Sequence, residues 1–207
     1  IVYNKGCDIM DESVESIDEA VSLAEGVDLV IAVIGDCLRQ NGENHDRVNL
    51  TLSGKQNELV RRLKETGKPI VTVLVNGKPL CIGDTVKNSD AVIEMFNGGD
   101  LGGLCAAELI AGKFCPSGKL PISFPRAAGE NVCYYNQYAG WHGDKYMDVD
   151  AGSLYDFGYG LSYTKFTYSE PVISAETAKA GDTLTVSVDV TNVGEMDGAE
   201  TVEMYYN

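Results

Sequence analysis

Four titratable side chains crowd one short stretch, "NGENHDR": Glu43, His45, Asp46 and Arg47. A positioned carboxyl group can act as a general acid or base. The same carboxyl group in a polar loop is ordinarily just solvated, and the residues alone leave both readings of Glu43 open. A further carboxylate, Asp100, stands in the glycine-rich stretch "FNGGDLGG". It can cap the start of a following helix, the reading the residue type favours, or accept hydrogen bonds from sugar hydroxyls.

The flanking sequence explains where these groups sit. "VDLVIAVIG" is a continuous apolar, β-branched run, which predicts a strand buried on both faces, as in a parallel sheet. "SGKQNELVRRLKETGKP" predicts a helix with Leu59, Val60 and Leu63 on its apolar face, a Ser53–Gln56 capping box, and Gly67 and Pro69 at its end. Strand-to-helix connections in α/β units usually run only a few residues. The one holding Glu43 is far longer.

The alternation continues on either side. Val14, Ile17, Val21 and Ala24 recur at helical spacing between Ser13 and Gly26. "PIVTVLVN" and "SDAVIEMF" predict two more buried strands, "GGLCAAELIAGK" a helix closed by Gly112, and "KLPISF" a short last strand. The reading is an α/β layered sandwich, a mostly parallel sheet flanked by helices. With three or four strands, against about five or six in an average sheet, its first strands are expected to be missing. Ligands of such sheets bind beyond the carboxyl ends of the strands. The loop after the first strand and "FNGGDLGG" after the third leave that edge, so the two are expected to form one rim.

The rest of the chain changes character. Residues 126–170, rich in Gly, Tyr and Asp, show no period and read as an aromatic wrapping linker. "DTLTVSVDVTN" then alternates strictly, with Leu184, Val186, Val188 and Val190 on one face, and "AETVEMYY" starts another strand. Residues 171–207 therefore read as the start of a β-sandwich, a fold of about seven strands.

Composition excludes several functions. A formal net charge of −15 argues against binding nucleic acid phosphates. No apolar run is long enough to span a bilayer, and the N-terminus has neither the basic start nor the apolar core of a signal peptide. It also lacks an initiator Met, as a fragment or a processed chain does. The six Cys (7, 37, 81, 105, 115 and 133) form no C-x-x-C pair, so no metal is expected. Reduced thiols suit a reducing compartment. No G-x-S-x-G is present, and His45 and His142, the two histidines, lack obvious triad partners. "GGDLGG" matches neither G-x-G-x-x-G nor a Walker sequence, and Asp100 would repel phosphate, which disfavours a nucleotide-binding domain.

Four stretches, "NGENHDRVNLTLSGKQNELV", "TGKPIVTVLVNGKPL", "GKFCPSGKLPISFPR" and "LYDFGYGLSYTKFTYS", resemble glycoside hydrolase family 3, the β-glucosidase group, from about residue 20 to the end. The resemblance implies an α/β sandwich domain over 1–125, the linker over 126–170 and the start of a fibronectin type III-like domain over 171–207. It further implies a (β/α)8 barrel on the same polypeptide that supplies an aspartate nucleophile, a β-linked oligosaccharide or aryl or alkyl glycoside as substrate, and no cofactor. By motif, Glu43 is then the general acid/base. A retaining glycosidase sets two carboxyl groups about 5–5.5 Å apart across the scissile bond, and the proton donor needs a raised pKa. The long loop would carry that donor to the barrel mouth. Asp46 and Arg47 are expected to pair and staple the loop. His45 either lines the leaving-group side or faces solvent. The chain departs from the family pattern at Leu101, and at Gly83 and Asp84, which leaves sugar preference open. The alternative is a non-catalytic carbohydrate-binding or packing module of such an enzyme.

Overall fold

The structure, a computed structural model, describes residues 1–130, 133–136, 146–150 and 152–206. It comprises two compact units: Ile1–Ala107 with Leu120–Phe157, and Glu108–Lys119 with Gly158–Asn207. The stretch read as one linker is thus divided after Phe157, and part of it, His142 included, lies outside the described residues.

In the first unit, α1 (Glu15–Ala24) buries Ile17, Ala20 and Ala24, the inward positions of the helical spacing. Ser13 Oγ accepts the Glu15 N–H at 3.4 Å, and the Gly26 N–H closes the last turn onto the Leu23 carbonyl. Strands β1 (Val30–Gly35), β2 (Ile70–Val75) and β3 (Ala91–Glu94) form a parallel sheet in that order, with Val33 opposite Val73 and Leu74 opposite Glu94. α2 (Gln56–Lys64) and a short α3 (Gly83–Lys87) are the crossover helices. The core joins Ile17 and Ala24 of α1, Leu59, Val60 and Leu63 of α2, and Ala32, Ile34, Ile70 and Leu74 of the sheet. This is a parallel sheet flanked by helices, the class expected from the alternation of patterns.

Local departures have physical reasons. β1 is not buried on both faces: Ile31 and Val33 are 49% and 65% exposed. It is an edge strand, bonded to β2 alone, and α2 packs on its Ala32 and Ile34 side. The Ser53–Gln56 capping box does not form, because both side chains have stronger claims elsewhere, described below. "KLPISF" makes a single bridge, Phe124 with Tyr155, rather than a strand. α3 had no strong periodic signal, being little more than one turn.

α4 (Gly102–Ile110) follows β3, and the Gly112 N–H bonds to the Leu109 carbonyl just past its end. In the second unit β4 (Phe166–Tyr168) pairs antiparallel with β7 (Val190–Asn192), and β5 (Val172–Ile173) with β6 (Val186–Ser187). The alternating run expected as one strand breaks at Val188–Asp189, since its two halves pair with different partners. No strand is formed over residues 199–206, where another was expected. Lys119 ties this unit together: its ammonium donates to the Gly160 carbonyl and pairs with Glu200, which also accepts the Tyr168 hydroxyl.

Gly35, the last residue of β1, permits the closest approach in the sheet. A Cβ there would overlap the Val75 carbonyl oxygen of the neighbouring strand. Gly35→Ala is therefore expected to force β1 and β2 apart and cost about 3 kcal/mol, the upper range for overpacking. An unchanged urea midpoint in that variant would contradict the geometry.

Candidate functional site

The long connection from Gly35 to Gln56 is anchored at both ends by one side chain. Gln56, 1% exposed, accepts the Gly35 N–H at 2.7 Å and donates to the Gly35 carbonyl at 2.8 Å. The end of β1 and the start of α2 are thereby clamped together. Gln56 also donates to the Ser53 carbonyl. Its amide is committed to β1, so it is not free for a capping box.

Above the clamp lies a base of polar groups, with Gln40 buried and Arg47 and Ser53 half-buried. The chain turns through a short 3-10 segment, Leu38–Gln40. The buried Gln40 donates to Ser53 Oγ at 2.5 Å and accepts the Cys37 N–H at 3.3 Å. Arg47 donates through Nη2 to the Thr51 carbonyl at 2.7 Å and to Ser53 Oγ at 3.2 Å. The Cys81 N–H bonds to the Leu50 carbonyl and fixes the returning limb beside the stretch after β2. From that stretch Lys78 donates to the Gln40 carbonyl at 2.6 Å.

The tip differs in kind. The His45 N–H closes a turn onto the Gly42 carbonyl, with Asn44 at φ 64, a conformation Asn tolerates. Glu43 lies in this turn, exposed, and makes no hydrogen bond to any described residue. His45 Nδ1 lies 2.7 Å from the Arg39 carbonyl. A carbonyl only accepts, so Nδ1 carries the proton in this bond. Asp46 is exposed and forms no pair with Arg47, contrary to the sequence expectation. The guanidinium is drawn instead to the inner carbonyl and hydroxyl that close the loop base.

The ends of β2 and β3 complete the edge. A Cβ on Gly77 would lie 2.8 Å from Asn41 Oδ1 and 3.5 Å from Asn97 Nδ2. The loops after β1 and β3 therefore meet over the one after β2, as a single rim. Asp36 Oδ1 accepts the Gly77 N–H at 3.2 Å. Beneath lies Glu94, the last residue of β3. Its Oε1 accepts the Phe96 N–H at 2.7 Å, and its Oε2 lies 3.4 Å from Asn76 Nδ2. Burial and, to a lesser degree, the charge of Asp36 push the Glu94 carboxyl up to about 7. Phe96 sits at φ 47, a backbone state that costs a side-chain-bearing residue about 1–2 kcal/mol. The bond from Glu94 and the Phe124 ring, 6.2 Å away between centroids, hold it there. Asp100 is exposed beyond this turn and its carboxylate caps nothing. The Gly102 N–H is taken instead by the Gly99 carbonyl.

The sheet edge thus presents an exposed carboxylate on a pinned loop, with a second acidic loop beside it. Comparison with known proteins gives the family. Residues 6–163 match the Glycosyl hydrolase family 3 C-terminal domain. The chain belongs to that family. It is 41% identical over 203 residues to the periplasmic beta-glucosidase of Salmonella typhimurium, covering 91% of this chain and 26% of that protein. It is 41% identical over 208 residues to a beta-xylosidase of Formosa agariphila, covering 99% and 29%. Among solved structures, the beta-glucosidase from Listeria innocua in complex with glucose superimposes with a TM-score of 0.84 at 28% identity, covering 93% of this chain and 28% of that one. A beta-glucosidase involved in saponin metabolism from intestinal bacteria gives 0.81 at 36% identity, covering 91% and 28%. The chain spans between a quarter and three tenths of the length of these relatives.

In this family 3 domain the structure brings Glu43, His45, Asp46 and Arg47 onto one loop, and Asp100 onto the neighbouring one. Sequence reading missed Gln40, Asn76 and Glu94, and gave Gln56 only a capping role. The usable signal was a polar residue where an apolar one is expected: Glu94 ends an apolar strand and Gln56 opens an apolar helix face.

Glu94 makes the stability of the first unit depend on pH. Folded, it keeps its proton up to about 7, while the ordinary value is 4.5. The folded state binds more protons between those values, so stability is fully present below pH 4.5 and falls as pH rises toward 7. Asp8, Glu58 and Asp90 are held low by Lys5, Arg61 and Lys64 and act below that window. Urea midpoints are expected to fall between pH 5 and pH 8, and Glu94→Gln to flatten that slope. A slope unaltered by Glu94→Gln would assign the effect elsewhere.

Proposed function

We propose that this chain carries the general acid/base, Glu43, of a retaining β-glycosidase whose nucleophilic carboxylate belongs to a (β/α)8 barrel of the same polypeptide. One observation carries the reading: an exposed carboxylate, free of hydrogen bonds to any described residue, stands at the tip of a loop whose base is tied by the buried Gln40 amide and the half-buried Arg47 guanidinium. A solvated surface carboxylate needs no such base. A proton donor that must meet a second carboxylate across a glycosidic bond does.

The chemistry follows from two carboxyl groups. In the first step the barrel carboxylate attacks the anomeric carbon and Glu43 gives its proton to the departing oxygen. In the second Glu43 takes a proton from water, which releases the sugar. Closure of the barrel over the tip would strip water from the carboxyl, as such a donor requires. His45, exposed at the tip, lines the leaving-group side, and Asp100 accepts hydrogen bonds from sugar hydroxyls. Relatives named beta-glucosidase and beta-xylosidase support terminal β-linked glucosides or xylosides as substrates. With one of its two carboxylates on the barrel, the chain by itself is expected to be inactive.

Glu43→Gln in the complete enzyme tests this. Gln fills the same space but cannot donate as an acid. For cellobiose, a poor leaving group, kcat/KM is expected to fall by about 10²–10⁴-fold, the usual worth of general acid–base help. For nitrophenyl glucoside, whose leaving group needs little protonation, the fall is expected to be much smaller. Equal losses on both substrates, or none, would move the acid/base elsewhere and favour a non-catalytic role for the domain.

A further inference from the structure

Glu94 has no part in the chemistry above, yet it lies where all three loops of the sheet edge converge. Its Oε1 holds the strained Phe96 turn that leads into "GGDLGG". Its Oε2 faces the amide of Asn76, a residue 1% exposed. Asn76 Nδ2 donates at 2.9 Å to the Lys78 carbonyl, and the Lys78 ammonium donates at 2.6 Å to the carbonyl of Gln40, three residues before Glu43. A chain of hydrogen bonds therefore runs from the foot of β3 to the base of the loop that carries Glu43.

We propose that Glu94 is a positioning residue for the Glu43 loop, acting through Asn76 and Lys78. The role of Glu43 in this statement rests on the reading given under "Proposed function"; the linkage to the loop does not.

The Asn76 amide is the link between Glu94 and the stretch after β2. Nδ2 has two acceptors, Glu94 Oε2 at 3.4 Å and the Lys78 carbonyl at 2.9 Å. Nδ2 carries two hydrogens and serves both acceptors at once, so the amide bridges Glu94 to the stretch after β2. Loss of the Glu94 proton sets a second negative charge near Asp36, the charged group that faces Glu94 from the end of β1 and itself holds the Gly77 N–H. From β2 the facing group is the neutral Asn76, and from its own loop the Phe96 N–H. That repulsion loosens the stretch after β2, and with it the grip of Lys78 on Gln40. The raised position of the Glu94 carboxyl, about 7, puts this change within the working range of an enzyme.

Amide hydrogen exchange in the complete enzyme tests the linkage without using activity. Rates are corrected for the intrinsic pH dependence of exchange. Peptides covering 37–47 are expected to exchange about tenfold faster at pH 8.5 than at pH 5.5. Glu94→Gln, neutral at every pH, is expected to bring that ratio close to one, and Asp36→Asn to move the midpoint to lower pH. Lys78→Met, which cuts the link but leaves Glu94 in place, is expected to give a fast, pH-independent loop. It also serves if Glu94→Gln fails to fold. A wild-type ratio near one overturns the proposal. So does the wild-type ratio persisting in Glu94→Gln, or in Lys78→Met. If the loop responds as stated but Glu43→Gln leaves both substrates unaffected, the linkage stands and the acid/base assignment falls.

Discussion

The first unit depends on one buried amide. Gln56 exchanges two hydrogen bonds with the backbone of Gly35, and so replaces, at the end of an edge strand, the partners a further strand would have provided. A buried backbone group left unpaired is costly. Here the N–H and the carbonyl are both satisfied by a side chain from the next helix. Both ends of a long connection are thereby fixed at one point. The loop can then be long without being loose, because the clamp fixes its ends and the bonds of its base fix the rest.

Above the clamp, order is graded by burial. Gln40, Ser53 and Arg47 form the base, buried or half-buried and joined by hydrogen bonds. Glu43, Asn44, His45 and Asp46 form the tip, held by the backbone turn from Gly42 to His45 and the His45–Arg39 bond. A carboxylate that must act on another molecule has to be exposed, and one that must act at a defined place has to stand on something rigid. The loop meets both demands by separating them along its length. The cost is a set of polar groups inside the edge, one of which, Arg47 Nη1, is buried without a partner.

The second unit has no such anchor. Its strands are two or three residues long and most of their apolar side chains are exposed: Val172, Ile173, Val186 and Val190 all face solvent. What order it has comes from polar ties, Lys119 with Glu200 and Thr164 with Asn192, rather than from a packed layer. Ladders this short bury little apolar surface, so local opening there is expected to need less energy than in the sheet of the first unit.

Period and composition by themselves determined the alternation of helices and strands, the parallel sheet, the inward residues of α1 and α2, and the loop that carries Glu43. These were legible because hydrophobic periodicity is a local signal: each segment declares which face it buries. The pattern could not say that β1 is an edge strand with Ile31 and Val33 open, since an apolar run reads alike whether or not a neighbour covers it. Nor could it say that Arg47 turns to Thr51 and Ser53 rather than to Asp46, or that Gln56 clamps β1 rather than capping α2. Each is a choice among polar partners of similar strength. Tertiary structure decides that choice by which groups it takes out of water together. Glu94 is the clearest case: a glutamate at the end of an apolar strand is an ordinary carboxylate on paper, and only the closing of three loops around it removes the solvent that would keep it charged.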